Sequence, residues 1–334
     1  MKTRAAYLKA PWQTQCRDVV LPDSPPPGKV LIRVAACGVC GSDLNALSGE
    51  ATDWKAAGHE VAGTVAAVAP DEARLQVGDK VVLESSSFCG TCALCRNGRP
   101  DLCNKAPNFW REPAMGFSDY MLAPACCAVK YDGLAPEVAA LTEPAGVAFD
   151  MVKVAGIQLG ESVCVVGPGP IGLLALALAR HSGAARLVCV GKPSHQRRLA
   201  LARELGAETV ESDDWQSLAG QFHHVLLTAP PRTIPAALAL LAYEGKLTYI
   251  GIGIGAGETL ISFDANQFHF RKLQLRASFA SPAMYFPSVL KLLQAGIIPG
   301  EKLISHRFPL AEFGVAVALL QNEKDETLKV VIQP

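Results

Sequence analysis

Val163-Cys164-Val165-Val166-Gly167-Pro168-Gly169-Pro170-Ile171-Gly172 is an apolar run that breaks into three glycines and opens a second apolar stretch, Ile171–Arg180. The run reads as a buried strand and the stretch after it as a helix. The glycines at 167, 169 and 172 have the spacing G-x-G-x-x-G. Gly167 permits a tight turn, Gly169 lets a pyrophosphate approach the backbone, and Gly172 lets strand and helix pack closely. Pro170 and Ile171 open the helix, so phosphates there would face its free N–H groups and the positive end of its dipole. A bare glycine turn is weak evidence. This one has a strand before it, a helix after it and a second strand, Leu187–Val190, downstream. Dinucleotide binding is therefore expected.

The same grammar continues outward. A helix is expected over Ser194–Leu205, with strands near Val225–Leu227, Leu247–Ile250 and Leu273–Ala277. Strands alternating with helices imply a parallel sheet of βαβ units. Upstream the chain is β-rich. Lys29–Ala36 follows the turn Pro25-Pro26-Pro27-Gly28, and Val61–Val68 and Lys80–Leu83 are further strand candidates. After Ser281 an amphipathic helix, Phe286–Ala295, leads into a short β-like tail. A chain of 334 residues accommodates two domains. Lys+Arg and Asp+Glu both total 31, so no net charge draws the chain to nucleic acid or an acidic membrane. The start, Met1 to Ala10, has no apolar signal core. The longest apolar helical run, Ile171–Ala179, is too short to span a bilayer. A cytoplasmic protein is expected, with neither nucleic acid nor membrane as partner.

Four of the eleven cysteines fall within fifteen residues: Cys89, Cys92, Cys95 and Cys103, spaced C-x2-C-x2-C-x7-C. In a cytosolic chain such clustering points to metal rather than disulfides. Four thiolates on an irregular loop suit a closed tetrahedral Zn²⁺ site whose role is to hold the loop. An iron–sulfur cluster also accepts four cysteines.

Three further segments complete the pattern: Cys37-Gly38-Val39-Cys40-Gly41-Ser42-Asp43, Gly58-His59-Glu60 and Leu141-Thr142-Glu143-Pro144. With the cysteine lobe and the glycine turn in this order, the chain resembles the zinc-containing medium-chain dehydrogenases over essentially its whole length. The closer likeness is to their sorbitol/polyol and threonine dehydrogenase branch. The resemblance implies a zinc-dependent enzyme that moves a hydride between a small secondary alcohol (a polyol, sugar or amino alcohol) and NAD(P). A simple alcohol dehydrogenase or aldehyde reductase of the same family is the alternative. By this resemblance Cys40 and His59 are catalytic zinc ligands. Glu143 stands where the polyol branch has a third ligand. Glu60 matches a glutamate that is a ligand in some members and an exchangeable neighbour in others. Asp43 matches a carboxylate that orients the ligand histidine, and Ser42 the hydroxyl that passes the substrate proton outward. The cysteine lobe becomes the structural zinc site, so two zinc ions per chain are expected.

Chemistry supports these roles. A catalytic zinc takes about three protein ligands and keeps one position open for an alcohol oxygen. The implied architecture is α/β: a Rossmann doubly wound parallel sheet over residues 146–281, plus a β-rich, GroES-like catalytic domain over 1–145 and 282–334. The active site is expected in the cleft between them, and the family forms homodimers or homotetramers. Two departures stand out. Asn45 replaces a histidine that often ends the proton relay. Gly191, 24 positions after Gly167, replaces the acid that binds the ribose 2′-hydroxyl of NAD. With Lys192, His195, Arg197 and Arg198 following, NADP is expected to be favoured over NAD. Segments 108–115 and 44–54 are expected to shape the pocket. Cys37 is read as a buried thiol and His223-His224 as structural.

Overall fold

The computed structural model describes residues 1–211, 215–253, 257–323 and 325–334. The chain divides into two compact units, Met1–Gly146 with Ala280–Pro334, and Val147–Phe279.

The first unit opens with β1 (Lys2–Lys9) and β2 (Gln13–Val20), which pair antiparallel along their whole length. Then come β3 (Lys29–Gly38), β4 (Lys55–Ala56), β5 (Glu60–Val68), β6 (Lys80–Leu83), β7 (Tyr120–Pro124) and β8 (Ala128–Lys130). The second unit holds β9 (Ser162–Val166), β10 (Arg186–Gly191), β11 (Glu208–Glu211), β12 (Phe222–Leu227), β13 (Leu241–Tyr249) and β14 (Gln274–Ala277). The chain returns to the first unit with β15 (Ile304–Pro309) and β16 (Lys329–Gln333).

In the first unit β3 is the hub. One edge carries β5. The other carries β7 on its first half and β16 on its end, where Gly38 faces Val331 and Cys37 faces Ile332. β3 and β5 are mostly buried: Val30, Ile32 and Val61 share an apolar core with Phe117 and with Phe313, Ala316 and Val317 of helix Phe313–Asn322. The β1–β2 hairpin was not expected. β2 alternates weakly and is half exposed, so pairing rather than pattern makes it a strand.

The second unit is a six-stranded parallel sheet in the order β11-β10-β9-β12-β13-β14. Two βαβ halves diverge from β9 and β12, so the strand order reverses at the β9–β12 seam. In such sheets ligands gather beyond the carboxyl ends of the strands at this reversal. Helix Pro170–His181 follows β9, and Gln196–Glu204 follows β10. The second helix starts two residues later than expected. Lys192 to His195 form a turn closed by His195 N–H on the Lys192 carbonyl (2.9 Å) and Lys192 N–H on His195 Nδ1 (3.1 Å). No helix among the described residues is long and apolar enough to cross a membrane.

Candidate active site and metal centres

β3 ends at Gly38, and two residues later Cys40 caps the short helix Gly41–Asn45. The Asp43 carboxylate accepts the Cys40 N–H at 2.9 Å, so the helix start fixes both side chains locally. β5 begins at Glu60, whose ladder partner is Gly38, and His59 immediately precedes it. This register brings three candidate ligands together. One donor atom each of Cys40, His59 and Glu60 lies within 4.8 Å of the others. A Cβ at residue 38 would run into the Glu60 carboxylate, so glycine there makes room for it.

His59 is 5% exposed, and its Nδ1 is buried with no hydrogen-bond partner. Asp43 Oδ1 stands 4.0 Å from that nitrogen, within ion-pair range but too far for a hydrogen bond. Burial works to lower the His59 pKa. The charges of Cys40, Asp43 and Glu143 outweigh it and raise the pKa well above its ordinary value. Burial also raises the pKa of Asp43. An orphaned imidazole nitrogen beside a thiol and carboxylates is a donor set that fits a metal.

Glu143 lies in the first turn of helix Thr142–Ala155 and accepts the Ser85 hydroxyl at 3.4 Å. It is outside the three-residue cluster, yet near enough to feel the charges of His59, Glu60 and Lys329. Its burial pushes its pKa up to about 7. Ser42 is exposed in the first turn of its helix, and Asn45 is half-buried at that helix's end.

Sequence reasoning missed Lys329. It starts β16, is 4% exposed, and donates to both Glu60 oxygens at 2.6 and 2.8 Å and to the Val39 carbonyl at 3.1 Å. Burial works against its charge, and Glu60 and Cys40 hold it protonated. The available signal was a lysine leading the apolar run Lys329-Val330-Val331-Ile332, since a cation there needs a partner. Trp110 was anticipated only as part of a segment. Its ring lies 5.0 Å from that of His59 and is 48% exposed, beside the buried Phe109.

The four thiols of the lobe also converge, each sulfur within 4.8 Å of the others. Cys92 Sγ and Cys103 Sγ are 3.9 Å apart. A tetrahedron with Zn–S bonds of about 2.3 Å has edges of about 3.8 Å. Donors already aim at the sulfurs: Cys89 N–H at Cys103 (3.4 Å), and Cys92 N–H and the Thr91 hydroxyl at Cys89 (3.3 and 3.6 Å). The Thr91 contacts bring the Cys89 thiol down to about 5, while burial and neighbouring sulfurs push Cys95 up to about 12. All eleven cysteines are free thiols, and Cys37 is fully buried. The lobe fits a tetrahedral metal.

In the second unit Gly167 has φ +104°, and Thr228 Oγ1 donates to its carbonyl at 2.8 Å. A Cβ at Gly172 would strike that same carbonyl, whereas a Cβ at Gly169 would meet nothing within 4 Å. The open space at Gly169, at the start of helix Pro170–His181, is a cradle that fits a pyrophosphate. Gly191 ends β10. Lys192 and Arg197 are exposed, His195 is half-buried, and Arg198 is buried under its helix, so it adds no surface cation. His223 meets Ser162, and His224 Nε2 lies 2.6 Å from Glu161, at the opposite ends of the strands from the turn.

Residues 26–133 match the alcohol dehydrogenase GroES-like domain, and residues 170–295 match the zinc-binding dehydrogenase family. The chain is 31% identical to an L-arabinitol 4-dehydrogenase of Hypocrea jecorina, over 92% of this chain and 85% of that one. It is 32% identical to an L-threonine 3-dehydrogenase of Thermococcus kodakarensis, over 100% of this chain and 97% of that one. A zinc-binding dehydrogenase of Sinorhizobium meliloti 1021, solved bound to NADP, superposes with a TM-score of 0.88 at 28% identity, covering 100% of both chains. The chain thus belongs to the zinc-containing medium-chain dehydrogenase family, in its polyol and threonine dehydrogenase branch, and is an oxidoreductase that transfers a hydride between an alcohol and NAD(P).

Proposed function

We propose that the chain oxidises a secondary alcohol of a small polyol, sugar acid or amino alcohol, and that it carries two zinc ions. Cys40, His59 and Glu143 are the catalytic ligands in this reading, with Glu60 in reserve, and Cys89, Cys92, Cys95 and Cys103 hold the structural ion. The observation that carries it is the meeting of Cys40, His59 and Glu60, one donor atom of each lying within 4.8 Å of the others. When bound, zinc supplies Lewis acidity to the substrate oxygen, and the nicotinamide accepts the hydride.

The chain's own residues do the rest. Lys329 donates to both Glu60 oxygens, so Glu60 is the one of the three clustered donors held by a lysine. Ser42, exposed two residues after Cys40, hands the alcohol proton to solvent. Trp110 flanks His59, with ring centroids 5.0 Å apart, and offers substrate an indole face there. An exposed indole at this point also favours the second reading, a simple alcohol dehydrogenase or aldehyde reductase with an apolar substrate.

Gly167, Gly169, Pro170, Ile171 and Gly172 hold the pyrophosphate, and Gly191, Lys192 and Arg197 favour NADP over NAD. The absence of a carboxylate at Gly191 and the exposed cations beyond it support that preference. Residues 1–145 with 282–334 serve as the catalytic domain and 146–281 as the dinucleotide domain. A homodimer or homotetramer is expected, a reading supported by the edge of β14, which no strand among the described residues pairs, and the exposed Phe279 beside it. Eleven reduced cysteines suit a reducing cytoplasm.

The test is a panel of polyols, sugar acids, L-threonine and simple alcohols with NAD⁺ and NADP⁺, read as reduced cofactor formed. Cys40→Ser and His59→Ala should lower kcat by orders of magnitude and leave dinucleotide affinity intact, because they act on the reacting oxygen. Comparable turnover in either variant removes zinc-assisted transfer from the account. Equal or better kcat/KM with NAD⁺ removes the NADP preference alone.

A further inference from the structure

Gly191 is the last residue of β10 and is buried against the glycine turn of the neighbouring strand. In sheets of this order, the residue ending the second strand meets the adenosine ribose, and a carboxylate there selects NAD. The structure gives a steric reason why this chain has no side chain at that place. A Cβ built on Gly191 would lie 2.8 Å from Pro168 Cγ, 3.2 Å from Pro168 Cδ and 3.0 Å from Leu199 Cδ2. Carbon atoms in good contact sit about 3.5–4.0 Å apart. Leu199 can yield by turning its side chain. Pro168 can move Cγ only by ring pucker, and its Cδ, bonded to the backbone nitrogen, keeps the 3.2 Å contact unless the turn itself shifts.

That backbone is pinned on both sides. Gly167 N–H donates to the Val190 carbonyl at 3.0 Å, and Thr228 Oγ1 holds the Gly167 carbonyl at 2.8 Å. Thr228 also fills the space a Gly167 side chain would take, at 2.7 Å from an ideal Cβ. Any side chain at 191 must therefore push Pro168, and with it the turn that cradles the pyrophosphate.

We infer that Pro168 and Gly191 form one steric unit that sets dinucleotide choice: the proline in the turn forbids a side chain at 191 and so keeps out the ribose-binding carboxylate. The inference rests on the proposed role of the Gly167–Gly172 turn, and not on the NADP preference. Pro168 is a specificity-determining position, although its own side chain carries no group that could recognise a phosphate or a hydroxyl. Cofactor choice in this chain cannot be reversed at 191 alone.

A double-mutant cycle tests this. Calorimetric Kd values for NAD⁺ and NADP⁺, and the thermal midpoint without cofactor, are measured for the unmodified chain, Pro168→Ala, Gly191→Asp and the double variant. A second cycle uses Gly191→Ala, which adds only the Cβ. Gly191→Asp alone is expected to weaken both dinucleotides at least about tenfold and to lower the midpoint. In the Pro168→Ala background the same aspartate should bind NAD⁺ at least about tenfold more tightly than it does beside proline, and should prefer NAD⁺. Gly191→Ala should weaken both dinucleotides equally, with the loss relieved by Pro168→Ala. Each tenfold change corresponds to about 1.4 kcal/mol. Gly191→Asp alone binding NAD⁺ more tightly than the unmodified chain overturns the inference, and so do strictly additive effects in both cycles. Non-additive midpoints with no change in either Kd also overturn it, and they place the failure in the assignment of the turn rather than in the steric contact.

Discussion

Lys329 shows what one side chain can cost. It is a buried cation whose two short contacts go to the equally buried Glu60, at the junction of β16, β3 and β5. Replacing a whole buried ion pair with apolar groups is often neutral, but removing one partner strands the other charge and costs about 3–5 kcal/mol. Lys329→Met should therefore lower the urea midpoint by that equivalent. Lys329→Met with Glu60→Gln, which removes both charges, should recover much of the loss. A single Lys329→Met variant as stable as the parent would show that the pair contributes nothing to folding. Gly38 belongs to the same junction, since its missing Cβ is the space that the Glu60 carboxylate occupies.

At the level of elements, the cysteine lobe and the far end of the parallel sheet make separate predictions. The lobe from Cys89 to Cys103 has only the short helical turns Ala93–Arg96 and Pro100–Leu102, so a metal at the four sulfurs is what would hold it. Cys95→Ala should lose about one equivalent of zinc by elemental analysis and become protease-sensitive within the lobe. Full folding with no loss of metal would refute the structural-site assignment. At the far end, His224 on β12 meets Glu161, just before β9, with His223 and Lys246 nearby. Burial lowers the His224 pKa below its ordinary 6.5; the Glu161 hydrogen bond and charge oppose this, and Lys246 and His223 add to the lowering. The native state thus resists a proton that the unfolded chain accepts. The stability contributed by neutral His224 is complete above pH 6.5 and lost as pH falls toward the lower folded value. Glu161, also lowered, adds a loss of the same sign below pH 4.5. The unmodified chain should lose more stability than His224→Gln between about pH 7.5 and 5.5 in urea titrations. Parallel losses would refute the linkage.

Across the whole molecule, the two units divide the chemistry. Every candidate catalytic zinc ligand and the thiol lobe belong to Met1–Gly146 with Ala280–Pro334, and the glycine turn belongs to Val147–Phe279. Elemental analysis of the purified chain should approach two zinc ions per molecule. The catalytic ion should be the first removed by a mild chelator, because a mixed set with an open position holds it less tightly than four thiolates do. Loss of activity should then precede loss of folded structure. Simultaneous loss would place both ions in structural roles.

Sequence was sufficient wherever the chemistry is local and periodic. The run Val163–Gly172, the four cysteines and the segment Cys37–Asp43 each state their geometry within about a dozen residues, because turns, caps and ligand spacing are short-range constraints. The strands β3, β5 and β6 and the parallel sheet were legible for the same reason. What required the folded chain is long-range. Lys329 meets Glu60 across 269 positions: the apolar run behind it marked a cation in need of a partner, but no local pattern could name that partner. β2 is a strand because β1 pairs with it, and Trp110 stands beside His59 because a loop brings it there. Arg198 carries the right charge for a phosphate site, but the pitch of its helix turns it inward. The absence of an acid at Gly191 was visible in the sequence. The reason for it, the ring of Pro168 lying over that position, exists only once two strands lie side by side in the sheet.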